Sequence, residues 1–246
     1  MIAERTDGII ETRDDSPTGL RTEPGARIKA VLFDLDGTLL DTIALILASY
    51  RHTARVCLER EIDEAWVMAH LGDPLTVTMA EVCAERLDEL ITVYRQHNLA
   101  EHDRLTKLFP GVREALQALE ALGLRMAVVS SKMRLTVHRG LDLFQLTPFF
   151  DHVIALEDCP RHKPDPGPVL TALERLGIAP VEAVMVGDSP ADVLAAKAAG
   201  ARAVAVGWSR SDPKLIDEAG PTATVSTMAQ LVGLIDEWGA TDGPRR

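Results

Sequence analysis

The sequence predicts an α/β protein with a Rossmann-like, doubly wound parallel sheet as its core and an inserted all-helical domain. Two observations predict this fold. From Phe109 onward, short apolar and β-branched runs alternate with segments of helical periodicity, which is typical of parallel strands joined by crossover helices. A block with only helical periodicity, residues 43–107, separates the first predicted strand from this region, which indicates an insertion.

The individual elements follow in chain order. Residues 28–34 form a short apolar run that ends in charge, as a buried strand does. The insertion holds one amphipathic segment that begins at residue 43 and a second over residues 74–97. Further helices are predicted at 111–123, 133–144, 168–177 and 191–200, further strands at 124–130, 152–157, 182–188 and 202–207, and a weak strand with an amphipathic helix over 223–239.

These elements predict the domain organisation. We expect an α/β core domain made of residues 28–42 and 108–238, with the helical domain, residues 43–107, inserted between its two parts. The polar N-terminal extension, residues 1–27, lacks the apolar segment of a signal peptide and is expected to be disordered, and residues 239–246 form a short C-terminal tail.

The composition excludes several classes of partner. The chain has 246 residues, of which 46% are apolar, and a formal net charge of −11. This charge would repel nucleic acids and anionic membranes, and no apolar run approaches the roughly 20 residues of a membrane-spanning helix. Three dispersed cysteines indicate neither a disulfide framework nor a zinc site, so we expect a cytoplasmic protein. We expect small molecules and metal cations as partners, and a monomer or small homo-oligomer.

Reactive side chains follow four of the predicted strands. In an open parallel sheet, ligands bind outside the carboxyl ends of the strands. The sequence therefore predicts one site that brings all these side chains together. In chain order they are Asp34 and Asp36 in "VLFDLDGTLLDT", Ser130, Lys163, and Asp188 with Asp192.

The residue types at this site suit a metal ion and a phosphoryl group. Carboxylates held close together repel one another and need a cation, and a ligand set made only of oxygen favours Mg²⁺. The predicted metal ligands are Asp34, Asp36 and Asp188. Positive charge and N–H donors would bind a phosphoryl group. The predicted phosphoryl-binding groups are Lys163, the hydroxyl of Ser130, and backbone N–H groups near Gly37 and Ser131.

The pair of aspartates in "DLD" predicts covalent catalysis. A carboxylate can attack a phosphoryl group to form an aspartyl phosphate, which water then hydrolyses. Asp34 is the candidate nucleophile, because it ends the strand and because Mg²⁺ and Lys163 should keep it ionised. Asp36 could protonate the leaving oxygen and later deprotonate the attacking water. Gly37 should allow a sharp turn, which Thr38 could hold through a side-chain hydrogen bond.

Four segments resemble the motifs of the haloacid dehalogenase (HAD) superfamily of phosphohydrolases. "DLDGTLLD" resembles the first motif, Ser130 in "AVVSSK" the second, Lys163 in "HKPDPGPV" the third, and "GDSPAD" the fourth. Their order and their placement after strands also match. The resemblance extends from residue 28 to residue 208.

The resemblance implies a role for each residue of the first three motifs. It implies that Asp34 is the nucleophile, and that Asp36 is the general acid/base and a Mg²⁺ ligand through its backbone. Ser130 and Lys163 are implied as phosphate binders. Ser131 stands beside Ser130 where relatives often have threonine or asparagine, so either hydroxyl could be the phosphate ligand, and the place of Ser130 at the end of the predicted strand favours Ser130.

In the fourth motif, the resemblance implies that Asp188 is a Mg²⁺ ligand and that Asp192 supports the metal indirectly. Residues 43–107 resemble the small cap domain that closes over the site in one subfamily. "YRQHNLAEHD" and "FPGV" resemble the pyrophosphatase and phosphoglycolate phosphatase branches, which implies pyrophosphate first and phosphoglycolate second. A phosphomutase that acts on sugar phosphates is the alternative. A phospho-accepting domain or a non-catalytic scaffold fits less well, because neither needs an acid/base at Asp36.

Other residues have simpler interpretations. A calcium loop beginning at the first aspartate needs glycine at its sixth and glutamate at its twelfth position, where this chain has Leu39 and Leu45. Among the histidines, His70 is the best functional candidate, because "LGDP" resembles the cap loop that faces the core in relatives. Arg51 and Arg55 fit a surface position better than an anion site.

Overall fold

The computed structural model describes residues 26–208 and 210–239, and within these ranges the main sheet has six strands, all parallel. The strands are β1 (Ala30–Phe33), β2 (Leu40–Asp41), β3 (Lys107–Leu108), β4 (Arg125–Val129), β5 (His152–Ile154), β6 (Ala183–Gly187), β7 (Arg202–Val206) and β8 (Ala223–Val225). The order across the main sheet is β5-β4-β1-β6-β7-β8, which places β1 in its interior.

Strand β1 is buried along its whole length. Successive side chains point to opposite faces of a strand, and accordingly Val31 and Phe33 pack on one face of the sheet and Leu32 on the other. Phe33 pairs in register with Val128 of β4 and Val186 of β6. The carboxyl ends of these three strands therefore lie side by side.

Helices cover both faces of the sheet, which is the predicted doubly wound arrangement. The helices are α1 (Ile43–Leu58), α2 (Glu64–Ala69), α3 (Leu75–Cys83), α4 (Leu87–Leu105), α5 (Val112–Ala121), α6 (Arg134–Leu143), α7 (Gly167–Leu176), α8 (Pro190–Ala199), α9 (Pro213–Ala219) and α10 (Met228–Gly239). The face that carries Phe33 packs against α5, α6 and α10, and the opposite face packs against α7, α8 and α9. The predicted fold class is confirmed.

Helices α1 to α4 form an insertion between β2 and β3. These two short strands pair with each other in antiparallel orientation, so the chain leaves and re-enters the core at adjacent points. The insertion has its own apolar cluster, in which the rings of Tyr50 and Tyr94 pack edge to face with centroids 5.0 Å apart. The division of the chain into domains at the boundaries given above stays a prediction.

The second amphipathic segment of the insertion is two helices in the structure. Helix α3 ends at Cys83, whose backbone is extended, and a 3₁₀ turn (Ala84–Arg86) precedes α4. Apolar periodicity continues across this break, so the sequence pattern did not reveal it. The short helix α2 and the β2–β3 pairing were also not predicted.

Helix α9 was not predicted either, although its sequence carries a signal. The side chain of Asp212 accepts a hydrogen bond from the backbone N–H of Lys214, Pro213 occupies the first helical position, and Gly220 ends the helix in the left-handed conformation. An aspartate–proline start and a glycine stop around seven residues therefore indicated this helix.

Parts of two predicted segments lie outside the described residues. These are residues 1–25 of the N-terminal extension and residues 240–246 of the C-terminal tail; Ser209 lies outside them as well. In the ranges that the structure covers, no helix combines the length and the apolar character that crossing a membrane requires.

Candidate active site

A cavity of about 390 Å³ lies at the carboxyl ends of β1, β4 and β6, with walls from both the core and the insertion. Ligands of open parallel sheets bind at this edge. The structure places every predicted site residue except Thr38 in the lining. The predicted residues that line the cavity are Asp34, Asp36, Gly37, Ser130, Ser131, Lys163, Asp188 and Asp192.

The turn after β1 positions Asp34 and requires a glycine. The N–H of Asp34 donates to the carbonyl of Val186 over 2.9 Å, which fixes the residue against β6. Gly37 has a φ of +78°, a conformation that L side chains rarely adopt. A Cβ on Gly37 would also lie 2.1 Å from Oδ2 of Asp188. No larger residue fits here unless that carboxylate moves.

Thr38 does not hold this turn through its side chain, so that expectation was wrong. Thr38 is fully buried, and within the described residues its hydroxyl has no hydrogen-bond partner. Backbone hydrogen bonds hold the turn instead, from the N–H groups of Leu39 and Leu40 to the carbonyl of Leu35 over 3.0 and 2.9 Å. A role for Thr38 in substrate binding stays a prediction, and no contact with the cavity supports it.

Lys163 joins two of the predicted carboxylates. Its Nζ donates to Oδ1 of Asp34 over 2.6 Å, to Oδ1 of Asp192 over 2.5 Å and to the carbonyl of Val129 over 3.0 Å. An ammonium group has three donors, so all of them are engaged. The buried lysine therefore holds the ends of β1 and β4 and the start of α8 together.

Asp192 lies in the first turn of α8 and is buried. Its Oδ2 accepts hydrogen bonds from the backbone N–H and the hydroxyl of Ser189, over 3.1 and 2.7 Å, and Ser189 Oγ accepts one from the N–H of Asp192. This reciprocal pair caps the helix. With Lys163 on Oδ1, both carboxylate oxygens are bound by groups of the protein itself.

The cluster holds more negative charge than Lys163 neutralises. Burial raises the pKa of Asp34 to about 7, Lys163 opposes this shift, and the charges of Asp192 and Asp36 add to it. Burial and the neighbouring charges of Asp34 and Asp192 raise the pKa of Asp188 well above its usual range. Burial lowers the pKa of Lys163, but its contacts with Asp192 and Asp34 raise it by more. A bound cation would relieve this repulsion.

Three carboxylates come close enough to share a metal ion. Oxygens of Asp34, Asp188 and Asp192 all lie within 4.8 Å of one another. Among the described residues, Asp36 adds no carboxylate oxygen to this group, so the expectation that its side chain is a ligand finds no support in the geometry. The reason is that the Asp36 carboxylate is held elsewhere, and its backbone role stays a prediction.

Two residues that the sequence analysis did not assign to the site, Thr42 and Lys132, bind the Asp36 carboxylate. Its Oδ1 accepts hydrogen bonds from Thr42 Oγ1 and from Lys132 Nζ, both over 2.6 Å. The N–H of Lys132 also donates to Ser130 Oγ over 3.2 Å. Lys132 follows Ser131 in "SSK", and the sequence alone does not distinguish this lysine from a surface charge.

Ser130 and Ser131 both line the cavity. Ser130 directly follows β4, its N–H donates to the carbonyl of Ile154 over 2.9 Å, and it is buried, whereas Ser131 is half-buried. The choice between the two as phosphate ligand therefore stays open.

The insertion forms the opposite wall of the cavity. Its loop with the sequence "LGDP" lies against the core, because a Cβ on Gly72 would lie 3.7 Å from the Cβ of Ser189. His70 lines the cavity, with Nδ1 2.7 Å from the carbonyl of Trp66 and Nε2 3.2 Å from Glu81. Helix α4 contributes Tyr94, Arg95, Asn98 and Leu99.

Arg51 and Arg55 do not line the cavity, in agreement with the surface position expected of them. Arg51 pairs with Glu64 over 2.5 Å and Arg55 with Glu61 over 3.1 Å, and all four side chains are largely exposed.

Comparison with known proteins identifies the class of protein. Residues 31–206 match the family model described as "Haloacid dehalogenase-like hydrolase". The chain therefore belongs to this family, and the phosphohydrolase class that the sequence predicted is confirmed.

Individual relatives are more specific. Pyrophosphatase PpaX of Bacillus velezensis is 40% identical over 206 residues, which cover 84% of this chain and 95% of the relative. Pyrophosphatase PpaX of Halalkalibacterium halodurans is 36% identical over 208 residues, covering 85% and 97%. Among solved structures, a predicted phosphatase from Clostridium acetobutylicum has a TM-score of 0.77 at 25% identity and covers 86% of this chain and 99% of its own.

Proposed function

We propose that this chain is a Mg²⁺-dependent phosphohydrolase that works through an aspartyl phosphate on Asp34 and hydrolyses pyrophosphate, with phosphoglycolate as the second candidate. The observation that carries the proposal is the setting of the Asp34 carboxylate. It is buried at the end of β1, and its Oδ1 lies 2.6 Å from Lys163 Nζ. One of its oxygens also lies within 4.8 Å of an oxygen of Asp188, close enough for both to bind one metal ion. The relatives named as PpaX pyrophosphatases support pyrophosphate as the substrate.

The acidic cluster fits Mg²⁺, because its donors are oxygens and their mutual repulsion needs a cation. Asp34 and Asp188 would bind the ion through carboxylate oxygens and Asp36 through its backbone carbonyl. When bound, Mg²⁺ would neutralise these carboxylates and polarise the phosphoryl oxygens. Asp192 would support the site indirectly, because Lys163 and Ser189 already occupy its oxygens.

In the first half of the reaction, an Asp34 carboxylate oxygen attacks phosphorus as the bond from phosphorus to the leaving oxygen breaks. Lys163 orients the attacking carboxylate. The hydroxyl of Ser130 or Ser131 and the N–H groups near Gly37 bind the phosphoryl oxygens. Protonated Asp36 gives its proton to the leaving oxygen.

In the second half, Asp36 acts as a base. It takes a proton from water, whose oxygen attacks the aspartyl phosphate, and the bond between phosphorus and Asp34 breaks. Inorganic phosphate leaves, and both aspartates return to their starting state with one water consumed. Thr42 and Lys132 hold Asp36 for both proton transfers. Residues 43–107 would act as a cap domain over the core of residues 28–42 and 108–238.

The test measures release of phosphate from pyrophosphate and from phosphoglycolate, with Mg²⁺ or with EDTA. We expect Mg²⁺-dependent turnover with a preference of about tenfold for pyrophosphate, and no turnover by Asp34→Asn. Asp41→Asn is the matched control, because Asp41 lies in the same segment outside the cavity and asparagine can still accept the hydrogen bond from Ile43 N–H. The opposite preference would assign phosphoglycolate, and turnover by Asp34→Asn would refute its role as the nucleophile.

A second measurement tests the covalent intermediate. Asp36→Asn removes both the acid of the first step and the base of the second. Phosphate leaves pyrophosphate with less need of a proton than water has of a base, so the second step should be slowed more and the aspartyl phosphate should accumulate. Intact-protein mass spectrometry after mixing with pyrophosphate should then show a gain of one phosphoryl group, and the double variant with Asp34→Asn should show none. A phosphoryl adduct that persists in the double variant would exclude Asp34 as its site.

A further inference from the structure

Among the described residues, no carboxylate forms an ion pair with Arg95, which lines the insertion wall of the cavity. On the core wall, Lys132 and Lys163 line the cavity, but each already donates hydrogen bonds to aspartates of the site. Neither lysine is therefore a free cation for a ligand that extends away from the core. Among the described residues of the insertion wall, the arginine that lines the cavity is Arg95 of α4, whose side chain is exposed.

Arg95 differs from the other arginines of the insertion. Each of those donates a hydrogen bond to a carboxylate or a carbonyl of the insertion; they are Arg51, Arg55, Arg60, Arg86 and Arg104. Arg95 has neither a hydrogen bond nor an ion pair with any residue in the described ranges, 26–208 and 210–239. Its donors are available to a ligand in the cavity.

The position of Arg95 matches the direction in which a leaving group would depart. The phosphoryl-binding groups and Lys163 lie on the core wall. Asp36, which would protonate the leaving oxygen, accepts a hydrogen bond over 2.6 Å from Thr42, the residue directly before α1. The Asp36 carboxylate thus lies where the core meets the insertion. A leaving group protonated there would extend toward the insertion wall, to which Tyr94 and Arg95 contribute.

Resting on the proposed function, we infer that Arg95 selects substrates with an anionic leaving group. Its guanidinium binds the second phosphoryl group of pyrophosphate or the carboxylate of phosphoglycolate, because paired N–H donors match the oxygens of both groups. The other charged groups on this wall do not replace it. Asp73 repels an anion, and His70 is bound to Glu81 over 3.2 Å.

The experiment compares leaving groups with and without charge. We measure kcat/KM in Mg²⁺ for pyrophosphate, phosphoglycolate and phenyl phosphate, whose phenol leaves as a neutral molecule once protonated. Arg95→Ala should lower kcat/KM for the two anionic substrates by about 10- to 100-fold, the range for a charged hydrogen bond. For phenyl phosphate the change should stay under about threefold. Arg51→Ala and Arg55→Ala are matched controls that remove a charge from the same insertion outside the cavity, and they should leave the selectivity unchanged.

Binding without turnover gives a second readout. In the Asp34→Asn background, calorimetric titration with pyrophosphate in Mg²⁺ should show weaker binding when Arg95→Ala is added, and no change when Arg51→Ala is added. An equal loss of activity on all three substrates, or no loss on pyrophosphate, would overturn the inference while the proposed function stands. A wild-type protein that releases phosphate from none of the three would overturn the proposed function and this inference together.

Discussion

Lys163 and Asp34 lie 129 positions apart in the chain, and the lysine Nζ donates a hydrogen bond over 2.6 Å to the carboxylate of Asp34. The same Nζ binds Asp192 over 2.5 Å. The three side chains are at least nine-tenths buried, and buried charges are stable only when they are paired. One lysine therefore fixes the relative positions of the loop after β1, the loop before α7 and the start of α8.

Replacement of this lysine should destabilise the fold. Lys163→Met leaves Asp34 and Asp192 without their cation, and removal of one partner from a buried ion pair costs about 3–5 kcal/mol. Urea unfolding at pH 8 should show this loss, and the loss should be smaller at pH 5, because burial raises the pKa of Asp34 to about 7 and this carboxylate is then largely protonated. Lys29→Met is the control, because the Lys29–Glu182 pair is partly exposed and contributes under about 1 kcal/mol. If both variants lose the same stability, Lys163 does not act as a buried counterion.

Gly37 should be sensitive to both its conformation and its surroundings. In Gly37→Ala, the new Cβ meets Oδ2 of Asp188, so we expect loss of Mg²⁺-dependent phosphate release together with reduced stability. Gly123→Ala is a close control: its φ is +75°, but a Cβ there meets nothing within 4 Å. The free energy of unfolding of the control should fall only by the roughly 1–2 kcal/mol that an L residue loses in the left-handed conformation. Its activity should be unchanged. Full activity in Gly37→Ala would show that Asp188 can move without consequence.

The order of the strands and crossover helices was predictable because each type of element has its own local pattern of apolar residues in the sequence. The strand β1 is buried on both faces, which requires an uninterrupted apolar run, and the crossover helices need one apolar face each. The edge at which Asp34, Lys163 and Asp188 meet followed from strand direction alone, since the carboxyl ends of parallel strands share one edge. Their type and position were therefore sufficient to predict that they converge.

The remaining features depend on packing between distant segments. Lys132 binds Asp36 across 96 positions, and no local pattern distinguishes that lysine from a surface charge. Arg95 is one of several arginines on the insertion, and only the structure reveals that, unlike the others, it pairs with no residue in the part of the chain that the structure describes. Thr38 has the residue type of a turn-stabilising side chain, but backbone hydrogen bonds already hold that turn.

Repulsion within the acidic cluster of Asp34, Asp188 and Asp192 should lower the melting temperature of the metal-free protein. Asp188→Asn removes one of the mutually repelling carboxylates, so in EDTA we expect the melting temperature to rise by about 2–4 °C, which corresponds to roughly 1 kcal/mol in a chain of this size. Mg²⁺ should raise the melting temperature of the wild type and have little effect on the variant. Asp217→Asn on the exposed side of α9 should change neither value. A variant that melts below the wild type in EDTA, or that still responds to Mg²⁺, would contradict this account of the cluster.

An ion pair between the insertion and the core should give the protein a defined stability change in acid. Asp103 on α4 accepts hydrogen bonds from Arg139 on α6 over 2.8 and 3.0 Å. These bonds, with a further one from His102, lower the pKa of Asp103 from 3.8 to about 2. Because the unfolded chain binds this proton more readily, the pair stabilises the fold fully above about pH 4, and its contribution is lost as the pH falls toward 2.

The variant Asp103→Asn isolates that contribution. Asp103 is half exposed, so solvent screens the pair, and we expect the free energy of unfolding at pH 7 to fall by no more than about 1 kcal/mol. The difference between variant and wild type should shrink from pH 4 to pH 2, measured by urea unfolding with Asp236→Asn, an exposed aspartate on α10, as the control. If the difference in the free energy of unfolding stays constant from pH 4 to pH 2, the charge of Asp103 is not its cause. The loss in the variant would then come from hydrogen bonds that asparagine cannot form.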